Sequence, residues 1–315
     1  MVKDYFFVKK ERNLIECVAF ISCILIFMRA NNLLNSAGFM GILELDNNRV
    51  LAEILGLDLT LSDNIQLLDE INSYVLQLSE ETTGVVFDPI YTFKFLAKKA
   101  KKAGALIRLE QDKENLPYNL PILFPNFSLE EISNNYALAK LELNYYPQEQ
   151  RAIEKKQLLA EIREYSKILN IDFLLKLKIY DPNQMTTSKS ESIEFSFDNE
   201  QLLTVQELRS FADILVIQNP SDPLAMATVI SELDIPCLIM ANETDSYEQF
   251  KEKFRMAMEN GAKGYYLSQV LWKELGTYRL ENQSLNLEGI QKYFNTTVRD
   301  RLIELNRIAS ESLVL

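Results

Sequence analysis

The most constraining feature of the sequence is a repeated alternation of short apolar runs with longer amphipathic stretches. Eight runs have the length and composition of β-strands, at residues 39–46, 84–88, 105–110, 137–146, 172–180, 213–219, 236–241 and 264–270. Between them lie stretches with apolar residues at every third or fourth position, at 62–78, 152–169 and 247–260. Eight units of strand followed by helix predict an α/β protein with a (β/α)8 TIM barrel, in preference to an open doubly wound sheet.

The domain organisation follows from the length of the chain. A barrel of about 250 residues leaves room for an extension within 315 residues. Since no linker rich in proline or glycine divides the chain, we expect a single domain: an N-terminal helical extension at 1–36 and the barrel with a C-terminal helix at 37–315. The uncharged run 17–28 is too short to span a bilayer, so we expect a buried helix rather than its alternative, a membrane anchor.

The composition excludes several classes of function. The absence of histidine rules out catalytic triads that need an imidazole base and nearly all zinc sites. A net charge of −12 argues against a nucleic-acid partner, because such proteins normally carry a basic face. The three cysteines, Cys17, Cys23 and Cys237, lie in apolar runs without a C-x-x-C pair, which indicates free thiols in a reducing, cytoplasmic compartment. We expect neither a metal nor a cofactor, and no membrane partner.

Charged residues alternate with apolar ones along four of the strand-like runs, and therefore share one face of each strand. They are Glu44 and Asp46, Arg108 and Glu110, Lys140 and Glu142 with Asn144, and Lys176 and Lys178. Burying such charges beneath helices without partners would cost several kcal/mol each. We therefore predict that they converge inside the upper barrel as ion pairs, each lysine beside a carboxylate.

Two interpretations of this cluster remain open from spacing alone. In the first, a desolvated lysine, Lys176 or Lys140, attacks a ketone as a Schiff-base nucleophile while a carboxylate moves protons. In the second, the charges form an internal salt-bridge network that fills a barrel without turnover.

Several stretches, in chain order, resemble the class I tagatose-1,6-bisphosphate aldolases. They are GFMGILELDNN (38–48), VVFDPIY (85–91), NLPILFPNFS (119–128), LELNYYP (141–147), FLLKLKIYD (173–181), ADILVIQNP (212–220), ENGAKGYYLSQVLW (259–272) and IELNRI (303–308). The resemblance covers most of residues 38–310. It implies a (β/α)8 lyase that uses a lysine Schiff base, and it is compatible with a homo-oligomer.

The sequence departs from the family pattern at the position of the reacting lysine. Val216 stands at the position of the Schiff-base lysine, and Gln218 at that of the glutamate that follows it. Lys176 replaces the glutamate that serves as base on strand 5. The strand 4 lysine corresponds to Leu141, unless a one-residue bulge brings Lys140 into its place. The alternation of that strand favours the bulge, because Lys140 belongs to its polar face.

At three other positions the sequence either keeps the family residue or replaces it. Asp46 matches the strand 1 aspartate, Glu110 matches a strand 3 glutamate, and Asn47 stands where the family has glutamine. We take Lys176, Lys140, Asp46 and Glu110 as candidate catalytic residues. The candidate substrate-binding residues are Asn47, Glu142, Ser268 and Gln269.

The phosphate-binding loops differ most from the family. After strand 7 the chain has Asn-Glu-Thr-Asp at 242–245 in place of Ser-Ala-Gly, and after strand 8 it has Ser268 and Gln269 in place of Gly-Arg. Carboxylates near a ligand phosphate and the loss of an arginine contact predict binding weakened by several factors of ten.

Two functions follow as hypotheses. The first is an aldolase-like barrel that has lost the Schiff-base lysine and the phosphate site and is non-catalytic, with a binding or regulatory role. The alternative is an active class I sugar-phosphate aldolase with a relocated lysine, Lys176 or Lys140, and Glu142 or Glu110 as base. Either would take a small sugar or sugar phosphate as ligand.

Overall fold

The strands of the protein form a closed parallel barrel in chain order. The computed structural model describes residues 30–111, 117–185, 194–220 and 222–313. Each strand pairs with the next, and β8 returns to β1, so the predicted (β/α)8 barrel is confirmed. The strands are β1 Met40–Glu44, β2 Gly84–Phe87, β3 Gly104–Arg108, β4 Leu138–Tyr145, β5 Phe173–Ile179, β6 Ile214–Gln218, β7 Cys237–Met240 and β8 Gly264–Leu267.

Helices follow the strands and pack on the outside of the barrel. They are α1 Asn48–Leu55, α2 Ser62–Gln77, α3 Leu129–Asn134, α4 Ala152–Leu169, α5 Phe197–Leu208, α6 Pro223–Ser231, α7 Tyr247–Glu259, α8 Leu287–Tyr293 and α9 Arg299–Ser312. After β2 the connection is the 3-10 helix Phe93–Lys98 instead of an α-helix. A π-helical turn, Phe294–Val298, joins α8 to the C-terminal helix α9.

The ends of α7 are set by local side-chain chemistry. The Ser246 side chain accepts a hydrogen bond from the backbone N–H of Gln249, and the Gln249 side chain accepts one from the backbone N–H of Ser246. This reciprocal capping satisfies two of the N–H groups that the first turn leaves unpaired. The helix ends where Gly261 adopts a φ of 100°, a conformation that glycine tolerates without a Cβ penalty. The predicted start of this helix is confirmed, and its last helical residue, Glu259, lies one residue before the predicted end.

Alternation along the strands divides the buried residues into two cores. Outward residues such as Leu43, Leu141 and Ile217 pack beneath the helices. Inward residues of the lower barrel are apolar and form an interior cluster; they include Met40, Ile42, Val86, Leu106, Leu138, Leu174, Ile214, Val216 and Leu238. The upper end of the interior is thereby left for the charged residues.

The segment before β1 closes the lower end of the barrel. Residues Ala30–Leu33 form a 3-10 turn, and Leu33 is fully buried in the interior cluster. The backbone N–H of Ala30 donates to a carboxylate oxygen of Asp172, just before β5, over 2.5 Å. The rest of the predicted helical extension, 1–29, including the apolar run 17–28 with Cys17 and Cys23, lies outside the described residues.

Two further expectations concern compartment and membrane. Cys237, at the start of β7, is a buried free thiol, and burial raises its pKa to about 12. Across the part of the chain that the structure describes, none of the helices combines the length and the apolar character needed to cross a bilayer.

Candidate functional site at the barrel mouth

The upper ends of the strands bring the predicted charged residues together in the barrel interior. Lys140, Lys176, Asp46, Glu110 and Glu44 are each no more than about 5% exposed. Because the carboxyl ends of all eight parallel strands lie at the same end of the barrel, residues distant in sequence become neighbours there. The predicted convergence is confirmed, and it produces two lysine-centred clusters.

The first cluster is centred on Lys140 of β4. Its Nζ lies 2.7 Å from Oε1 of Glu110 and 3.0 Å from Oδ2 of Asp46. Burial by itself would lower the pKa of Lys140, but the attraction of these two carboxylates outweighs it and raises the pKa above the ordinary value. Lys140 is therefore held as an ammonium ion.

The second cluster is centred on Lys176 of β5. Its Nζ lies 2.5 Å from Oε1 of Glu44 and 2.9 Å from Oε2 of Glu142, and 4.9 Å from the centre of the Tyr266 ring. Burial opposes the charge, yet the carboxylates raise the pKa of Lys176 above its ordinary value. Burial likewise opposes the charge of Glu142, but Lys176 and Lys178, the latter 3.0 Å away, hold the Glu142 pKa well below its usual range.

Two members of these clusters are absent from the residues that the sequence predicts for the site. Glu44 lies on a predicted polar face, and it bridges the Lys176 ammonium and the Tyr266 hydroxyl, which donates over 3.2 Å. The position of Tyr266 in an apolar run indicates only core or barrel lining. Its alternation with the outward Tyr265 could have placed it at the site, but its contact with Glu44 depends on the pairing of β8 with β1.

A further ion pair, Asp88 with Arg108, supports the first cluster. Asp88 is fully buried after β2, and its carboxylate accepts the backbone N–H groups of Ile90 and Tyr91 over 2.6 and 2.7 Å. Arg108 donates to the other oxygen of Asp88, and its Nε lies 3.9 Å from Asp46. Burial raises the pKa of Asp88, against the effect of Arg108. An aspartate directly after a strand and before proline was the available sign of this turn.

Burial dominates the pKa of Glu110 in the first cluster. Burial raises its pKa to about 7, although the charges of Lys140 and Arg108 act in the opposite direction. Its Oε2 is buried without a hydrogen-bond partner among the described residues, as is Oδ1 of Asp46. Glu110 forms an antiparallel bridge with Leu123, so this part of the returning chain lies beside the end of β3.

The interior face of β6 carries no amine. Val216 is fully buried in the interior cluster and lies in register with Lys176 of β5 and Leu238 of β7. Gln218 follows at the end of the strand, where its side-chain oxygen accepts the backbone N–H of Ile179 over 2.7 Å. The side chain at the position expected of a Schiff-base lysine is therefore a hydrocarbon that points into the barrel.

On β4, Lys140 reaches the interior through regular alternation. The strand pairs with β5 residue by residue from Ala139 to Tyr145, and Leu141 faces outward beneath the helices. The predicted inward position of Lys140 is confirmed, but the one-residue bulge that alternation favoured is wrong, because the described pairing of β4 with β3 and with β5 is regular.

The predicted substrate-binding residues divide between two places. Glu142 belongs to the Lys176 cluster and lines a cavity of about 370 Å³ at the barrel mouth, together with Asn47. Ser268 and Gln269 are half-buried and lie instead in a smaller hollow of about 50 Å³ at the ends of β7 and β8, which Asn47 also borders. Asn47 therefore connects the two spaces.

The loop after β7 is held in place by its own Asp245 and by two lysines from outside the loop. Asp245 is buried; its carboxylate accepts the backbone N–H of Asn242 over 3.0 Å and the Lys253 ammonium over 2.6 Å. The Lys273 ammonium donates to the backbone oxygens of Glu243 and Asp245, each over 2.6 Å. Of the two carboxylates that the sequence places in this loop, Asp245 is therefore used in contacts within the protein, and Glu243 is exposed to solvent.

Metal binding was not expected from the sequence. In the stretches 30–111, 117–185, 194–220 and 222–313, no group of three or more carboxylate or cysteine side chains is arranged to bind a metal ion. The carboxylates of the barrel mouth instead face lysine and arginine side chains.

The architecture is similar to that of solved aldolases. An archaeal fructose 1,6-bisphosphate aldolase superposes with a TM-score of 0.58 at 14% identity, over 85% of this chain and 96% of that one. A Schiff base forming fructose-1,6-bisphosphate aldolase gives 0.57 at 14%, over 84% and 96%. A fructose-bisphosphate aldolase from Slackia heliotrinireducens gives 0.60 at 9%, over 88% and 87%. At these identities the likeness establishes the fold alone, a (β/α)8 TIM barrel.

By sequence, neither a protein-family model nor a curated protein matches the chain.

Proposed function

We propose that the protein is a divergent relative of the tagatose-bisphosphate aldolases that no longer forms a Schiff base and serves a binding or regulatory role. The observation that carries this proposal is Val216, a buried valine on the interior face of β6, where the resemblance expects the reacting lysine. A valine cannot attack a carbonyl.

The state of the two interior lysines supports the same proposal. An amine must lose its proton before it can attack a ketone, and Schiff-base lysines achieve this through a lowered pKa. Lys140 and Lys176 each contact two carboxylates, and the pKa of each is raised rather than lowered. The protonated state of both lysines therefore favours the interpretation of the cluster as an internal salt-bridge network.

The alternative function, an aldolase with a relocated lysine, is favoured by one specific observation. Lys176 is the register partner of Val216, so its amine enters the barrel one strand away from the position that Val216 occupies. Glu142, 2.9 Å from that amine, would be the base. A ligand that displaced one carboxylate could release the proton that Lys176 now holds.

Borohydride trapping separates the two functions. The full chain is incubated with millimolar dihydroxyacetone phosphate and sodium borohydride, and its intact mass is measured beside a Schiff-base aldolase as positive control. The proposal expects no adduct on the folded protein. An adduct that disappears in Lys176→Met or in Lys140→Met would establish the relocated lysine and contradict the proposal.

A further inference from the structure

The inference concerns the chemical class of ligand that the barrel mouth accepts, and it rests on the proposed function. The cavity there measures about 370 Å³ and opens above the two lysine clusters. This is within the size range of small-molecule sites. Its lining is dominated by charged and amide side chains, including Asp46, Glu110, Glu142 and Asn144. The ligand must therefore satisfy polar groups on several sides.

The interior lysines are poorly placed to bind a ligand anion. Lys140 and Lys176 each contact two buried or half-buried carboxylates, and Lys178 lies 3.0 Å from Glu142 and 3.8 Å from Glu243. A phosphate would have to displace a carboxylate from one of these ammonium groups. Breaking a buried pair leaves an uncompensated charge, which is among the most unfavourable changes in a protein interior.

The loop after β7 offers a phosphate no better position. In barrels the loops after strands 7 and 8 frequently hold a ligand phosphate. Here the Asp245 carboxylate already accepts the Asn242 N–H and the Lys253 ammonium. Lys273 is occupied by two backbone oxygens of the same loop. A carboxylate of the chain itself thus takes the donors that an anion would need.

The cavity lining carries more carboxylates than cations. The carboxylates are those of Glu44, Asp46, Glu110, Glu142 and Glu243, and the cations are those of Arg49, Arg108, Lys140 and Lys178. Each of these four cations already forms an ion pair, Arg49 with Glu53 and Arg108 with Asp88. An ionised carboxylate can only accept hydrogen bonds. Hydroxyl groups supply donors without adding charge.

We propose that the cavity binds an uncharged polyhydroxylated molecule, a free ketose or polyol, in preference to a sugar phosphate. Its hydroxyl groups would donate to the carboxylates that line the cavity, while the internal ion pairs and the Asp245 contacts stay intact.

Isothermal titration calorimetry on the full chain tests this preference with matched probes. D-fructose, D-tagatose and sorbitol are titrated at neutral pH beside D-fructose 1,6-bisphosphate. At least one free compound is expected to bind at least ten-fold more tightly than the bisphosphate. Tighter binding of the bisphosphate overturns the proposal, and so does the absence of measurable binding by all three free compounds at 10 mM.

Two variants tie the result to the site. Asn144→Leu removes a polar group of the cavity lining and should weaken binding of the free compound at least ten-fold, whereas Asn134→Leu, at an exposed position of α3, should leave it unchanged. Asp245→Ala should strengthen bisphosphate binding at least ten-fold by releasing Lys253 and the Asn242 N–H. Asp245→Asn controls for the fold of the loop. If neither variant changes affinity, the assignment of the ligand to this cavity is wrong.

Failure of this proposal can be told apart from failure of the proposed function, because the two experiments measure different quantities. Imine formation is detected by mass after trapping, whereas ligand preference is detected by heat of binding. A trapped adduct with a preference for free sugars overturns only the non-catalytic proposal. A preference for the bisphosphate without an adduct overturns only the ligand class.

Discussion

Lys176 and Val216 lie side by side in the barrel wall, as register partners on β5 and β6. Both are buried, but the lysine is held as an ammonium by Glu44 and Glu142, whereas the valine packs in the apolar interior cluster. The boundary between the charged mouth and the apolar lower barrel therefore passes between these two side chains. This boundary limits what can be placed at position 216.

The first prediction is that Val216→Lys destabilises the protein strongly. A second ammonium would be buried beside Lys176, whose carboxylates are already engaged, and an unpaired buried charge costs about 3–5 kcal/mol. Val216→Met, which introduces a side chain similar in length to lysine but uncharged, should cost only about 1–3 kcal/mol through overpacking. Urea denaturation of both variants measures the difference. Equal losses would mean that the introduced amine finds a partner and that the barrel interior can accommodate it at this position.

The second prediction concerns the Lys140 cluster. Lys140→Met leaves the buried carboxylates of Asp46 and Glu110 without their ammonium, so we expect a loss of about 3–5 kcal/mol in the free energy of unfolding. Arg307→Met, which breaks an exposed i,i+4 pair with Glu311 on α9, should change it by about 0.5 kcal/mol or less. A loss for Lys140→Met as small as that of the control would contradict a buried network.

The sequence predicted the barrel because its signals are local. Alternation with period two and helical spacing of three or four are properties of single segments, and α4, Ala152–Leu169, has the predicted bounds. The strands are shorter than predicted by one to several residues, as β1 illustrates: it ends at Glu44, and Asp46 lies beyond the last paired residue. Hydrophobicity does not distinguish a paired residue from the loop residue that continues its direction.

The site was predicted less completely, because the residues that a side chain contacts depend on the register between strands. Alternation placed Lys176 and Glu44 on interior faces, but that they meet across the barrel follows from its closure, which brings β8 and β1 together. The conformation of the loop after β7 could not be predicted from the sequence either, since Lys273, which holds the loop in place, comes from beyond β8. Long side chains from distant segments leave no periodic pattern in the sequence.

The third prediction tests the close contact of β8 with β1. Gly264 has a φ of 139°, and a Cβ there would overlap the backbone oxygen of Met40. Gly261 also has a positive φ, 100°, but a Cβ there meets only the Ile230 side chain at 3.5 Å. Gly261→Ala should therefore cost about 1–2 kcal/mol from backbone strain alone.

Gly264→Ala should lose clearly more than this, or fail to fold, because the backbone of β1 must move. Thermal unfolding followed by circular dichroism compares the pair. Equal stability of the two variants would show that β1 can shift without loss, and that the barrel closes less tightly at this point than the structure indicates.

The last prediction uses the raised pKa of Glu110. Its ordinary value is 4.5 and its value in the folded protein is about 7, so between these pH values the folded protein holds a proton that the unfolded chain has released. The contribution of Glu110 to stability is therefore full below about pH 4.5, declines as the pH rises, and is lost above about pH 7. A shift of this size corresponds to about 3 kcal/mol.

Glu110→Gln removes the titration while it keeps the shape of the side chain. The measured quantity is the free energy of unfolding of the wild-type protein minus that of Glu110→Gln. This difference should fall by about 3 kcal/mol between pH 4.5 and pH 8. Any change in the contact with Lys140 that does not depend on pH adds only a constant to it. Urea denaturation at several pH values measures it, and Glu288→Gln, an acidic residue in the first turn of α8, controls for the loss of one negative charge. A difference that stays constant with pH, or that rises, would mean that Lys140 and Arg108 dominate over burial at Glu110, and that the carboxylate is ionised throughout.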